Sequence, residues 1–170
     1  EFQAQRSPAA RAAGARDEPF FRKPPYDFDR RTPATRPLAV FFEEPQCADC
    51  DEMHATALKA GETRELLSRF DVYRLDLKSG VEIVTPGGAK TTAARWAREL
   101  NVLYAPSIIL FDAGGHEVLR VEAYMRMFHL QSALDYVASG AYLQEPNFQR
   151  FIQLRADARR ERGERVELMK

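Results

Sequence analysis

The sequence predicts an α/β protein, a central mixed β-sheet flanked by helices, with an N-terminal arm and an extra C-terminal helix. Three observations lead there. Leu38-Ala39-Val40-Phe41-Phe42 is a short continuous apolar run, the mark of a strand covered on both faces. Val72 to Leu77 alternates, with Tyr73, Leu75 and Leu77 on one face and Arg74 and Asp76 on the other, as a half-buried strand does. Helical spacing fills the interval between them, closing a βαβ unit whose crossover is expected to be right-handed.

In chain order, the stretch before Leu38 holds six of the ten prolines, with repeated Ala and Arg and no sustained apolar period. Residues 1–36 are therefore expected to form an extended, partly mobile arm that Phe20, Phe21 and Tyr26 are able to pin to the body. The domain proper is expected over residues 37–142. After its first strand, Met53, Ala57 and Ala60 recur at helical spacing up to Gly61, and a second helix from Glu62 to Phe70 presents Leu66, Leu67 and Phe70. Gly80 to Lys90 contains Val81-Glu82-Ile83-Val84 and the turn Pro86-Gly87-Gly88, which predicts an excursion built as a small hairpin. Thr91 or Thr92 caps the next helix, where Ala93, Trp96, Ala97 and Leu100 share a face. Ser107 to Phe111, the turn Asp112-Ala113-Gly114-Gly115, and Glu117 to Val121 form a β-hairpin. Phe128 to Ser139 is the last helix of the domain, with Leu130, Leu134 and Val137 inward and Gly140 as its stop. Residues 143–170 form an extension: a helix from Pro146 docks Phe148, Phe151 and Ile152, and Arg155 to Lys170 is a charged, solvated or frayed tail.

The totals bound the function. In 170 residues, 25 Lys and Arg are balanced by 25 Asp and Glu, so the excess cationic charge that neutralises phosphates is missing and no nucleic-acid partner is expected. No apolar run approaches the roughly 20 residues of a membrane span. The chain opens on Glu1-Phe2, not Met, which is compatible with a removed signal peptide and export. No dimerisation segment is apparent, so a monomer is expected.

Both cysteines lie in Pro45-Gln46-Cys47-Ala48-Asp49-Cys50-Asp51, directly after the buried strand. A disulfide across two intervening residues closes a loop too short to constrain the unfolded chain, so reactivity explains the spacing better than stapling does. A Cys-x-x-Cys at a strand-to-helix junction, followed about sixty residues later by a strand that opens with Ala105-Pro106, resembles the thioredoxin superfamily over residues 37 to 140. Within it, Phe42-Glu43 ahead of Pro45-x-Cys47-x-x-Cys50, then Met53-His54, then Leu134-Asp135-Tyr136-Val137-Ala138-Ser139-Gly140-Ala141-Tyr142 and Pro146-x-Phe148-Gln149-Arg150, are most similar to the periplasmic SoxW-type thioredoxins associated with bacterial sulfur oxidation.

The resemblance implies a thioredoxin fold and a periplasmic or otherwise exported thiol:disulfide oxidoreductase whose only redox group is its own disulfide, with no other cofactor. It implies protein thiol or disulfide clients, including a sulfur-carrier or cytochrome-maturation partner, and a membrane electron donor. It also places Pro106 at the cis-proline of the fold, with Ala105 facing the disulfide and pairing with an extended client segment, and it puts Gln46, Ala48 and Asp49 where the client meets the motif. Gln46 stands where thioredoxins usually have Trp, Ala48-Asp49 replaces their Gly-Pro, and Phe41 replaces the buried Asp that many carry six residues before the first cysteine.

The chemistry of the pair follows from its position. A cysteine attacks as thiolate, and Cys47 is expected at a helix N-terminus, where free N–H groups and the macrodipole favour an anion, so Cys47 is the nucleophile and Cys50 the resolving thiol. Asp49, Asp51 and Glu52 crowd the same turn; they are ordinary helix-start residues, but their charge disfavours a thiolate and points to a reductase. Glu43 lies four residues before Cys47, where a carboxylate is able to carry the proton of Cys50; an exposed strand-end Glu is the plainer alternative. Glu44 points to the opposite face. His54 shares the cysteines' side of the helix, as a core-edge histidine, a residue that tunes a sulfur, or a metal ligand with the thiolates. His116 and His129 fall elsewhere and supply no second ligand pair. Tyr104 lies beside the X-Pro, in the core or lining a client groove. The alternative to an enzyme is a non-catalytic binding module on the same fold, holding a metal or a client without turnover.

Overall fold

A computed structural model describes residues 16–122 and 126–166. At its centre, β2 (Leu38–Glu43) runs parallel to β3 (Asp71–Asp76) and antiparallel to β6 (Ser107–Phe111), which pairs antiparallel with β7 (Glu117–Glu122), giving a four-stranded sheet of order β3-β2-β6-β7. All six residues of β2 are buried, as its unbroken apolar run requires. Strand alternation sorts them: Ala39 and Phe41 enter one core, Leu38, Val40 and Phe42 the other.

The first core lies under α1 (Ala48–Ala55), α2 (Gly61–Leu67) and α4 (Met127–Ala138), which contribute Met53, Leu66, Leu67, Leu130, Leu134 and Val137. The second lies under α3 (Ala93–Glu99), whose Trp96 stacks on Phe111 at 5.9 Å between ring centroids. Thr92 caps α3 by accepting from the Arg95 N–H, and Gly140, at φ 77°, follows the end of α4. Among the described residues, no helix is long and apolar enough to cross a membrane.

Three regions depart from the sequence reading. The helix expected to run to Gly61 ends at Ala55: the Thr56 hydroxyl returns to the Glu52 carbonyl at 2.8 Å, a 3₁₀ turn follows over Ala57–Lys59, and Gly61 opens α2 instead of closing the helix before it. The charged stretch from Arg155 is exposed over most of its described length, as expected, but it is helical and anchored where it begins. Helix α5 (Phe148–Glu161) carries it to Glu161, because Arg155 reaches Asp135 at 3.0 Å and Glu62 at 2.9 Å, Arg155 and Arg159 lie over the Phe128 ring, and Ala156 is fully buried. Residues 167–170 lie outside the described residues.

The arm is the third. Residues 1–15 lie outside the described residues, but residues 16–36 are packed into the body and not held by a few aromatic pins alone. Tyr26–Asp27 forms β1, parallel to β4 (Glu82–Val84), which pairs antiparallel with β5 (Lys90–Thr92); the expected hairpin is thus two strands of a second, three-stranded sheet. The Arg22 N–H donates to the Val72 carbonyl at 2.8 Å, Phe20 and Phe21 pack on the first core, and Phe28, 1% exposed, packs in the second against Trp96. Arg30 donates to Asp71 at 2.8 Å and passes over Gly115, where φ is 84° and a Cβ would stand 2.8 Å from the Cβ atoms of Arg30 and Pro86. These contacts join segments distant in sequence through irregular backbone, so no periodicity announces them.

Candidate active site

Strand β2 delivers its C-terminal end to the N-terminus of α1, and both cysteines sit at that junction. Cys47 is the N-cap of α1, with extended backbone, and its Sγ accepts the Cys50 N–H at 3.0 Å. The two sulfurs form a disulfide, with the Cα atoms 5.2 Å apart. Cys47 is partly exposed and Cys50 fully buried, so of the two only Cys47 is open to a partner from outside. Gln46, Ala48 and Asp49 are exposed around them. In the antiparallel register Ser107 faces Phe42, so Ala105-Pro106 lies at the end of the sheet where β2 delivers Cys47. The Ala105–Pro106 bond is cis, Pro106 is buried, and Leu103 and Tyr104 just before it are exposed. Tyr104 is therefore not a core residue.

Glu43 is no exposed strand end. It is 2% exposed, and two residues from Phe41 it falls on the same strand face, so it supplies a buried carboxylate near the place Phe41 leaves apolar. His54 Nε2 stands 2.9 Å from its carboxylate, and the other ring nitrogen stands 3.1 Å from Glu18 of the arm. Since His54 follows Cys50 by one turn on the same helix face, the Glu43–His54–Glu18 chain has its central member one helical turn from the buried cysteine. Lys59 and Arg64 close its far end on Glu18, at 3.0 and 2.8 Å. The core-edge reading of His54 is thus correct but incomplete, since two buried carboxylates hold the ring. Among the described residues, no group of three or more His, Cys, Asp or Glu side chains is gathered to hold a metal ion.

Burial by itself raises the Glu18 carboxyl, but hydrogen bonds from His54 and Lys59, with their charges, outweigh it and hold Glu18 below its ordinary 4.5. A carboxyl depressed on folding contributes stability that is present above its unfolded pKa and is lost as pH falls through the folded one. Calorimetric melts between about pH 7 and about pH 3 are expected to show a steep loss of Tm on the acid side of 4.5 for the native chain, and a shallower one for Glu18→Gln. Equal acid slopes would remove Glu18 from the acid response.

Sequence reasoning did not find Glu18 or Arg16. Arg16, 3% exposed, donates to the carbonyls of Glu44, of Pro45 at 2.9 Å and of Cys47 at 3.3 Å, and its Nε meets Asp51 at 2.7 Å. Nothing in the Ala- and Arg-rich stretch sets Arg16 apart from its neighbours.

The family model described as a thioredoxin-like domain matches residues 26–138. The chain belongs to the thioredoxin-like family. Among solved structures, it is similar to a thioredoxin-fold protein from Helicobacter pylori, with a TM-score of 0.66 at 17% identity over 78% of this chain and 89% of that one. It is also similar to a thioredoxin from Thermus thermophilus, with a TM-score of 0.51 at 21% identity over 65% and 80% of the two chains. No curated protein matches the sequence. The thioredoxin fold read from the motif and the X-Pro strand is the fold observed. The match starts at Tyr26, so β1 falls inside the domain that the sequence reading began at residue 37. Within this fold, a disulfide at the N-cap of α1 is the arrangement of a thiol:disulfide oxidoreductase.

Proposed function

We propose that this protein is a protein-disulfide reductase with the Cys47/Cys50 pair as its only redox group. The observation that supports it best is a disulfide between Cys47, the partly exposed N-cap of α1, and the buried Cys50, at the end of the strand that carries the buried carboxylate of Glu43. In the reduced form, the Cys47 thiolate attacks one sulfur of a client disulfide; that S–S bond breaks, one client thiolate leaves, and a mixed disulfide joins Cys47 to the other. Cys50 gives its proton to Glu43, and its thiolate attacks the Cys47 sulfur, expelling the second client thiolate and forming the Cys47–Cys50 disulfide. The client gains two electrons and the protein loses two, which an external dithiol donor restores by the reverse exchange. Ala105, Pro106, Gln46, Ala48 and Asp49 form the surface that meets an extended client segment.

The direction rests on the carboxylates of Asp49, Asp51 and Glu52, which weigh against a strongly stabilised thiolate and so against a strong oxidase. An exported location, clients in a sulfur-oxidation or cytochrome-maturation system and a membrane electron donor rest on the SoxW-type wording of the motifs. Equilibration in graded redox buffers, followed by thiol alkylation and mass measurement, is expected to give one reversible two-electron couple. Its midpoint should lie nearer the roughly −270 mV of thioredoxin than the roughly −120 mV of a strong oxidant. An oxidising midpoint would reverse the proposed direction, and no reversible couple at all would favour a binding module.

A further inference from the structure

Arg16 occupies the start of α1 in a way the reaction above does not use. Its guanidinium is permanently charged, and burying such a group to tie down a loop is costly where an apolar side chain would pack without that penalty. The structure gives it a specific set of partners: the carbonyls of Glu44, Pro45 and Cys47, the carboxylate of Asp51 at 2.7 Å, and that of Glu43 at 3.6 Å. With these donors engaged and the side chain 4% exposed, the charge is fixed in place, and one of its hydrogen bonds ends on the residue that carries the attacking sulfur. The Arg16 carbonyl accepts from Arg74 of β3, which also lies over the Phe21 ring and meets Asp17 at 3.5 Å, so the arm is locked where it presents Arg16.

We infer that Arg16 is a positioning residue for thiol exchange, holding a cation at the N-terminus of α1 that keeps Cys47 reactive against the surrounding carboxylates. The inference rests on the oxidoreductase reading. The charged groups around Cys47 make the need for it clear. Helix α1 brings Asp49, Asp51 and Glu52 in its first turns and His54 one turn deeper, and β2 and the residue after it bring Glu43 and Glu44. Lys78 meets Glu44 from outside at 3.4 Å, and Arg74 is one contact further out. Among the described cations, Arg16 alone donates to the Cys47 backbone. A cation there favours the Cys47 thiolate, which stabilises the dithiol form relative to the disulfide. Two glutathione thiols and the protein disulfide give the protein dithiol and glutathione disulfide, and Arg16 shifts that exchange toward the dithiol.

The test measures this exchange with glutathione in the full chain, with the pH profile of Cys47 alkylation beside it, for the native protein, Arg16→Gln and Arg16→Lys. Arg16→Gln is expected to lower the equilibrium constant threefold to tenfold, about 14 to 30 mV toward reducing at 29.6 mV per tenfold, and to move the alkylation midpoint to higher pH. Arg16→Lys keeps the charge but loses the fork, so the equilibrium stays within about twofold while Tm falls. Equal shifts in both variants would assign the effect to loop geometry, and no shift in either would leave Arg16 as a structural tie; each overturns the inference. Should Arg16→Gln not fold, Arg16→Met takes its place as the uncharged variant and is read against Arg16→Lys by the same outcomes. If the native protein shows no reversible exchange, the oxidoreductase reading fails, an outcome distinct from a native couple that Arg16 does not move.

Discussion

Cys50→Ala is expected to abolish turnover while leaving Cys47 able to attack. The variant still carries the N-cap sulfur, half-exposed at the start of α1, but lacks the buried thiol that expels the client. Mixed disulfides on Cys47 then accumulate, visible as adducts on non-reducing gels that collapse on addition of a strong thiol. Cys47→Ala is the matched control: the remaining thiol is Cys50, fully buried, and forms few adducts or none. Comparable adduct yields from both variants would reverse the assigned roles, and no adducts from either would mean that the pair does not exchange with clients.

Glu43 has the next largest expected effect, and two substitutions separate its two roles. Its carboxylate is the common partner of His54 at 2.9 Å and Arg16 at 3.6 Å, all three essentially without solvent. Glu43→Ala leaves those cationic or proton-bearing groups buried without their acceptor, which is expected to cost about 3–5 kcal/mol in denaturant unfolding and lower Tm by on the order of 10 °C. Glu43→Gln keeps the shape and some of the hydrogen bonding but accepts no proton. It is expected to slow decay of the mixed disulfide by about 10²-fold or more, the usual scale of a lost general base, with the attack by Cys47 little changed. Unchanged decay in Glu43→Gln would leave Glu43 a stabilising residue only.

These expectations draw unequally on the sequence. The central strand, the cysteine pair at its end, the Trp96 face and the two hairpins are legible because each is a local pattern, an apolar run or a period of two or 3.6 residues, agreeing with its final environment. His54 was legible as a neighbour of the cysteines, since four residues make one helical turn. Its partners were not. Glu18 lies 36 residues from His54, and Arg16 lies 29 residues from Pro45, both on an aperiodic stretch where charge and proline suggest solvent. Composition cannot show that such residues are buried, because what buries them is the set of complementary charges waiting on β2 and α1. Arg155 teaches the same lesson: a run that looks solvated by its own charge is held by Glu62, Asp135 and the Phe128 ring, all on other elements.

The hydrogen bond from Arg22 to Val72 also bears on how the protein behaves in a concentrated solution. Strand β3 is an outer strand of the main sheet, and an outer strand with free N–H and C=O groups is a template for another chain. The arm meets that margin at Val72, where Arg22 is bonded to it and Phe21 packs under Arg74, while the opposite margin, β7, carries Glu117, Arg120 and Glu122 and shifts its register with β6 between the pairs Leu110–Leu119 and Phe111–Glu117. One margin is engaged by the arm and the other is charged and irregular in register, and both features disfavour extension of the sheet by a second molecule. The segment that brings Arg16 to the start of α1 thus also occupies part of the margin at which sheets add strands.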